Sequence, residues 1–64
     1  SLAVGSRVLV VRSPWFAREG RVGRLPGEAM RVESGARCLV AEVELDGGGT
    51  VRVPRCNLEV LAGP

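Results

Sequence analysis

The sequence predicts an all-β fold, a small barrel of five short strands. Eleven of its 64 residues are valine, whose branched Cβ favours extended backbone. Apolar and polar residues alternate along the chain, and no apolar stripe recurs at the period of a helix. The 9 glycines and 4 prolines separate the alternating runs and supply the turns. A single domain is expected, and closing its sheet into a barrel would remove exposed edges.

The first two strands are predicted from short valine-containing runs. Residues 7–12 form the first strand and place Val8 and Val10 on one face. Pro14 ends this strand, because proline cannot donate a hydrogen bond to a sheet ladder. The second predicted strand, residues 21–25, carries a single valine between arginines and ends at a Pro-Gly pair.

A long loop and the longest strand come next. Residues 28–36 predict a polar loop with Met30 and Val32 packed underneath it. The third predicted strand covers residues 37–45. Its alternation predicts four apolar residues on one face: Leu39, Ala41, Val43 and Leu45.

A hairpin completes the predicted barrel. Residues 46–49, Asp-Gly-Gly-Gly, form its turn, since glycine accepts the positive φ that hairpin turns require. Residues 50–53 form the fourth strand, residues 54–57 a short helical turn, and residues 58–61 the closing strand. The predicted core comprises the inward-facing apolar residues Val8, Val10, Val22, Leu39, Ala41, Val43, Val51, Val53, Leu58 and Val60.

Composition excludes several classes of protein. With 45% hydrophobic and 25% charged residues, the chain is neither a disordered tail, a collagen-like repeat nor a coiled coil. No apolar run approaches the roughly 18 residues of a membrane span. Cys38 and Cys56 adjoin apolar segments and are expected to be buried, reduced thiols, which favours a cytoplasmic setting. Without histidine, two cysteines cannot complete a zinc site, and no metal or cofactor is expected.

The inventory of reactive side chains predicts a protein that is not an enzyme. Histidine, tyrosine and lysine are absent, and the single aspartate, Asp46, lies in the glycine turn. The glutamates are scattered among arginines, which does not suggest a catalytic pair. Gly47–Gly49 lacks the spacing, lysine and following helix of a phosphate loop. The cysteines have no neighbouring base to activate them.

The basic residues are unevenly distributed. The net charge is +2, yet residues 1–24 contain five arginines and one acid, whereas residues 25–64 contain four arginines and six acids. Arginine binds phosphate or carboxylate through two parallel hydrogen bonds and stacks on bases. An RNA-binding strip is therefore one hypothesis, formed by Arg7, Arg12, Arg18, Arg21 and Arg24.

The only two aromatic residues, Trp15 and Phe16, are adjacent and lie between the first two strands. At most one of them points inward easily, because neighbouring residues of an extended chain point to opposite sides. Two interpretations remain open at this stage. One ring caps the barrel end, or an exposed ring flanked by Arg12 and Arg18 anchors a protein partner or a base.

Residues 8–25, with the run Ser-Pro-Trp-Phe-Ala-Arg-Glu-Gly-Arg-Val at 13–22, resemble the KOW motif. This motif occurs in the C-terminal domain of the transcription elongation factor NusG, in its eukaryotic counterparts and in some ribosomal proteins. The resemblance implies that residues 1–64 form one SH3-like barrel, a module of a longer protein. It also implies that Gly20 is the motif glycine, and that Trp15 after Pro14 is a partner-binding aromatic.

The chain departs from the family pattern at three places. Ser13 replaces the more usual glycine, Arg18 stands where a second aromatic is common, and the loop at 28–36 is longer. A KOW-like domain with a different partner is therefore expected.

Three functions follow from these observations. The first is docking of a protein of the transcription or translation machinery through Arg12, Pro14, Trp15, Phe16 and Arg18. The second is RNA binding by the arginine strip on the same edge. The third is a spacer barrel that packs against its own parent chain.

Overall fold

A computed structural model describes residues 1–64, and 47% of them lie in strands. The strands are β1 (Arg7–Val10), β2 (Glu19–Arg24), β3 (Met30–Arg31), β4 (Arg37–Cys38), β5 (Val40–Leu45), β6 (Thr50–Pro54) and β7 (Leu58–Ala62). A single 3-10 helix spans Arg55–Asn57. Five strands form an antiparallel sheet in the order β6-β5-β2-β1-β7, and β3 pairs with β4 in a separate hairpin. The all-β prediction and the helical turn before the last strand are confirmed.

The core lies on one face of the large sheet. In β1 and β2, Val8, Val10 and Val22 are buried, and β5 and β6 supply the rest of the cluster. Half-buried side chains pack around this cluster, among them Leu2, Trp15, Leu25, Val51 and Leu58. The buried members of this cluster are Val8, Val10, Val22, Ala41, Val43, Leu45 and Val53. Alternation therefore predicted most of the core.

The prediction that Leu39 and Val60 belong to the core is wrong. Leu39 is 47% exposed because the strand predicted at 37–45 is interrupted there. At this point the chain leaves the β3–β4 hairpin and enters the large sheet, where Ala41, Val43 and Leu45 are buried as predicted and Val40, the first residue of β5, is buried as well. Val60 is 37% exposed because β7 is an edge strand that pairs only with β1.

The predicted polar loop at 28–36 contains part of a hairpin. Met30 pairs with Cys38, and the Val32 amide donates to the Ala36 carbonyl at the tip. Gly35 closes the tip with a φ of +89°. Met30 and Val32 are half-buried, in agreement with their predicted position under the segment.

The cysteines differ in their surroundings. Both are free thiols, Cys38 half-buried and Cys56 exposed. The predicted burial of Cys56 is wrong because this residue lies in the 3-10 helix, which contains no buried residue.

Arg55 is a structural residue of the 3-10 helix. Its Nε donates to the Val40 carbonyl at 2.8 Å, and its Nη2 donates to the Pro26 carbonyl at 2.6 Å. The half-buried guanidinium therefore connects the start of β5 to the segment that follows β2.

The β1–β2 loop is closed by two hydrogen bonds. The Ala17 amide donates to the Val10 carbonyl at 2.8 Å, and the Val10 amide donates to the Arg18 carbonyl at 2.9 Å. Ala17 has a φ of +70°, the left-handed region that favours glycine.

Ala17→Gly is expected to stabilise the domain by roughly 0.5–1 kcal/mol, because removing Cβ relieves this conformation. The urea midpoint of unfolding measures the effect. Ala29→Gly is the matched control, because Ala29 is also exposed in a loop but has no positive φ. Glycine adds conformational entropy to the unfolded chain, so this variant should be as stable as the wild type or less stable. Equal changes in the urea midpoint for the two variants would show that the positive φ of Ala17 does not destabilise the domain.

The C-terminal residue lies beside the segment that leads into β1. A Cβ placed on Gly5 would lie 2.8 Å from the Cβ of Pro64. Gly5 precedes β1, whereas the Trp15 loop follows it, so the contact between Gly5 and Pro64 and this loop lie at opposite ends of that strand.

Candidate interaction site

Two adjoining concavities beside Trp15 share Trp15, Val32, Glu33 and Arg52 in their linings and together form one cleft. It lies between the β1–β2 loop, the tip of the β3–β4 hairpin, β6 and the 3-10 helix. The lining includes the apolar residues Val10, Trp15, Val32, Val51, Val53 and Pro54. Polar and charged residues complete it, among them Arg12, Arg31, Glu33, Arg52 and Asn57.

The two aromatic side chains have different environments. Trp15 is half-buried, packs against the core and also lines the cleft. Phe16 is 66% exposed and does not line the cleft. The expectation that only one ring turns inward is met. One part of the Trp15 ring therefore packs against the core, and another part remains accessible in the cleft.

The five residues expected to dock a protein partner do not form one surface. Arg12, Pro14 and Trp15 line the cleft, but Phe16 and Arg18 do not. Arg18 extends toward the β5–β6 turn, where its Nη2 would lie 3.4 Å from a Cβ placed on Gly47. The cleft thus contains three of the five expected residues.

The arginines of the expected RNA-binding strip are partly occupied by other contacts. Arg7 forms ion pairs with Asp46 and, at 3.8 Å, with Glu19. The hydrogen bond to Asp46, followed by the charges of both acids, raises the pKa of Arg7 above its ordinary value.

Arg24 and Arg21 are also engaged. Arg24 pairs with Glu42 at 3.1 Å, and Arg21 donates to the Gly5 carbonyl at 2.7 Å. Across the strands, Arg21 lies opposite Glu44. This face of the sheet is therefore mixed in charge, and the strip is not a continuous basic surface.

Local sequence patterns did not indicate that Arg31, Val32 and Arg52 form one site with Trp15. Residues 31–32, Trp15 and Arg52 lie far apart in the chain and meet because the β3–β4 hairpin lies beside β6. A contact between these elements is visible in Arg52, whose Nη1 donates to the Arg31 carbonyl at 3.4 Å. The only local signal was Val32, an apolar residue within a polar segment.

The side chains around the cleft form an apolar wall and a set of arginines, with Glu33 as the one acid. The apolar wall can accept a hydrophobic side chain, and the arginines can bind anionic groups. The structure contains no group of three or more histidine, cysteine or acidic residues that could hold a metal ion. It also contains no helix with the length and apolar character needed to cross a bilayer.

Comparison with known proteins adds no family assignment. No family model, no curated protein and no solved structure matches the chain significantly.

Proposed function

We propose that the chain is a non-catalytic, KOW-like interaction module that docks a segment of a protein partner in the Trp15 cleft. The observation that carries this proposal is the position of Trp15. Packing against the core holds the ring in place, yet the ring also lines an open cleft. A rigid, partly desolvated tryptophan near arginines is the typical centre of a protein interface.

We also propose that the five-stranded sheet closes into an SH3-like barrel. Seven buried side chains lie on one face of a single sheet, with only a short hairpin and half-buried side chains beside it. A flat sheet would leave such a face open to water, so strong curvature is the simplest way to bury it. The KOW resemblance supports the same architecture and a partner from the cytoplasmic transcription or translation machinery.

RNA binding by the arginine strip is less well supported. Arg7 and Arg24 already form ion pairs with acids, and releasing them for phosphate would break those pairs. A spacer role would require the parent chain to cover the cleft. That role predicts that an isolated domain binds no exogenous peptide there.

Trp15→Ala is expected to weaken peptide binding at the cleft strongly. Peptides selected by the wild-type domain from a random displayed library should lose affinity by at least about thirtyfold, because a central tryptophan typically contributes about 2 kcal/mol or more. Titration calorimetry measures the loss. Thermal unfolding of the variant should show a modest decrease, since Trp15 also packs against the core.

Phe16→Ala is the matched control for this experiment. It removes the neighbouring exposed aromatic, which does not line the cleft. Affinity and stability should both remain near wild type. Selected peptides that bind Trp15→Ala and the wild type equally would refute the proposed site, and so would a library that yields no binder.

A further inference from the structure

The charged side chains around the cleft are unbalanced. Arg12, Arg31 and Arg52 contribute positive charge, whereas Glu33 is the only acid. None of these three arginines forms an ion pair within the chain. The arginines that do have acidic partners, Arg7 and Arg24, lie outside the cleft. The cleft therefore combines an apolar wall with an excess of unneutralised positive charge.

Two of these arginines are oriented by the backbone. Arg31 Nη1 donates to the Gly35 carbonyl at 2.7 Å, and Arg52 Nη1 donates to the Arg31 carbonyl at 3.4 Å. Each guanidinium has five N–H donors, so most donors remain free after one such bond. Part of the entropic cost of fixing these long side chains is thus already met in the free protein.

We infer that the occupant of the cleft is an acidic peptide segment with an apolar side chain between carboxylates. The apolar side chain contacts Trp15 and Val32, and the carboxylates bind the guanidinium groups of Arg12, Arg31 and Arg52. Charge-assisted, two-point hydrogen bonds between arginine and carboxylate supply affinity and orientation. This inference rests on the proposed function, because it names the partner of the same site.

The composition of the lining favours a peptide over RNA. Val32, Val53 and Pro54 present no side-chain donors or acceptors for the edges of a base. Glu33 lies within the same lining and repels phosphate, which a nucleic acid carries at every residue. A peptide can place its acids at the arginines and leave an uncharged residue opposite Glu33.

The test uses three probes that do not fluoresce, so that Trp15, the only tryptophan, reports binding by its fluorescence. They are the capped peptide Asp-Glu-Leu-Glu-Asp, its amide counterpart Asn-Gln-Leu-Gln-Asn, and a short oligouridylate. The acidic peptide should bind at least about tenfold more tightly than the amide peptide. Raising the ionic strength should reduce this difference in affinity, because salt screens the attraction between arginine and carboxylate. Arg52→Gln and, separately, Arg12→Gln should each weaken binding of the acidic peptide severalfold.

Arg21→Gln is the matched control, since it removes the same charge from an arginine that lines no part of the cleft and forms no ion pair. It should leave the affinity near wild type. Circular dichroism of each variant establishes that it is folded, and Arg12 offers a second test because its side chain makes no hydrogen bond that the fold needs.

The outcomes separate the inference from the proposed function. Equal binding of acidic and amide peptides, both lost in Trp15→Ala, would keep the docking site and overturn the acidic partner. Equal weakening by Arg21→Gln and Arg52→Gln would also overturn it, because the effect would then be one of net charge. Binding of oligouridylate alone, or of no probe and no library peptide, would overturn both.

Discussion

Gly20→Ala is expected to destabilise the domain by about 3 kcal/mol or more. A Cβ on this buried glycine of β2 would lie 2.3 Å from the Glu44 carbonyl oxygen and 2.8 Å from Val43 Cγ1. The carbonyl belongs to β5, which pairs directly with β2 and cannot move without loss of ladder hydrogen bonds. Overpacking alone costs roughly 1–3 kcal/mol, and a rigid backbone obstacle raises that cost. Total stability at this length is only about 3–10 kcal/mol.

Gly23→Ala provides the control on the same strand. Its Cβ would meet only the carboxylate end of the Glu44 side chain, at 2.8 Å from Oε2, and this flexible group can turn aside. Urea unfolding should therefore show a large decrease in free energy for Gly20→Ala and a change of about 1 kcal/mol or less for Gly23→Ala. Similar values for the two variants would show that close approach of β5 is not the reason for glycine at position 20.

Arg55→Met is expected to cost about 2–3 kcal/mol. The substitution keeps an unbranched apolar stem but removes the donors to the Val40 and Pro26 carbonyls. Both of these residues are buried, so water does not readily replace the lost donors. A hydrogen bond from a charged group contributes roughly 1.5–3 kcal/mol, and an unsatisfied buried carbonyl adds a penalty.

Arg37→Met is the corresponding control at an exposed arginine. Its single hydrogen bond, from Nη2 to the Ala29 carbonyl, is long at 3.4 Å, so its loss should change stability by less than about 0.5 kcal/mol. The free energy of unfolding of Arg55→Lys should lie between those of the wild type and Arg55→Met, because one ammonium group cannot reproduce the guanidinium fork that reaches both carbonyls. Chemical unfolding of the three variants measures this order. A stable Arg55→Met protein would mean that the two carbonyls find other donors.

Local patterns predicted the strands because alternation is a property of neighbouring residues. The large sheet uses Val8, Val10 and Val22 as alternation predicts. The pattern failed at Leu39 because periodicity does not reveal where a chain changes its pairing partner. Leu39 and Val40 are both apolar, and only the departure from β4 decides which one is buried.

The site was harder to predict than the fold because its parts depend on long-range contacts. Trp15 was identified from its unusual place in the sequence, but nothing local joins it to Arg52. Nor could composition distinguish a structural arginine such as Arg55 from one that is free to bind a partner. The pairing of Arg24 with Glu42 likewise depends on the register shift in β2 after Val22, which the sequence pattern did not indicate.

The contact between Gly5 and Pro64 has a practical consequence for engineering. Because Pro64 lies against Gly5, the segment before β1 and the segment after β7 are close enough to be joined to neighbouring positions in a surface loop of a host protein. The same proximity permits circular permutation, with the old ends joined by a short linker and new ends opened at the exposed glycine turn of residues 47–49. In the inserted format the attachment point would lie near Gly5, at the opposite end of β1 from the Trp15 loop, so the cleft would remain open to ligands.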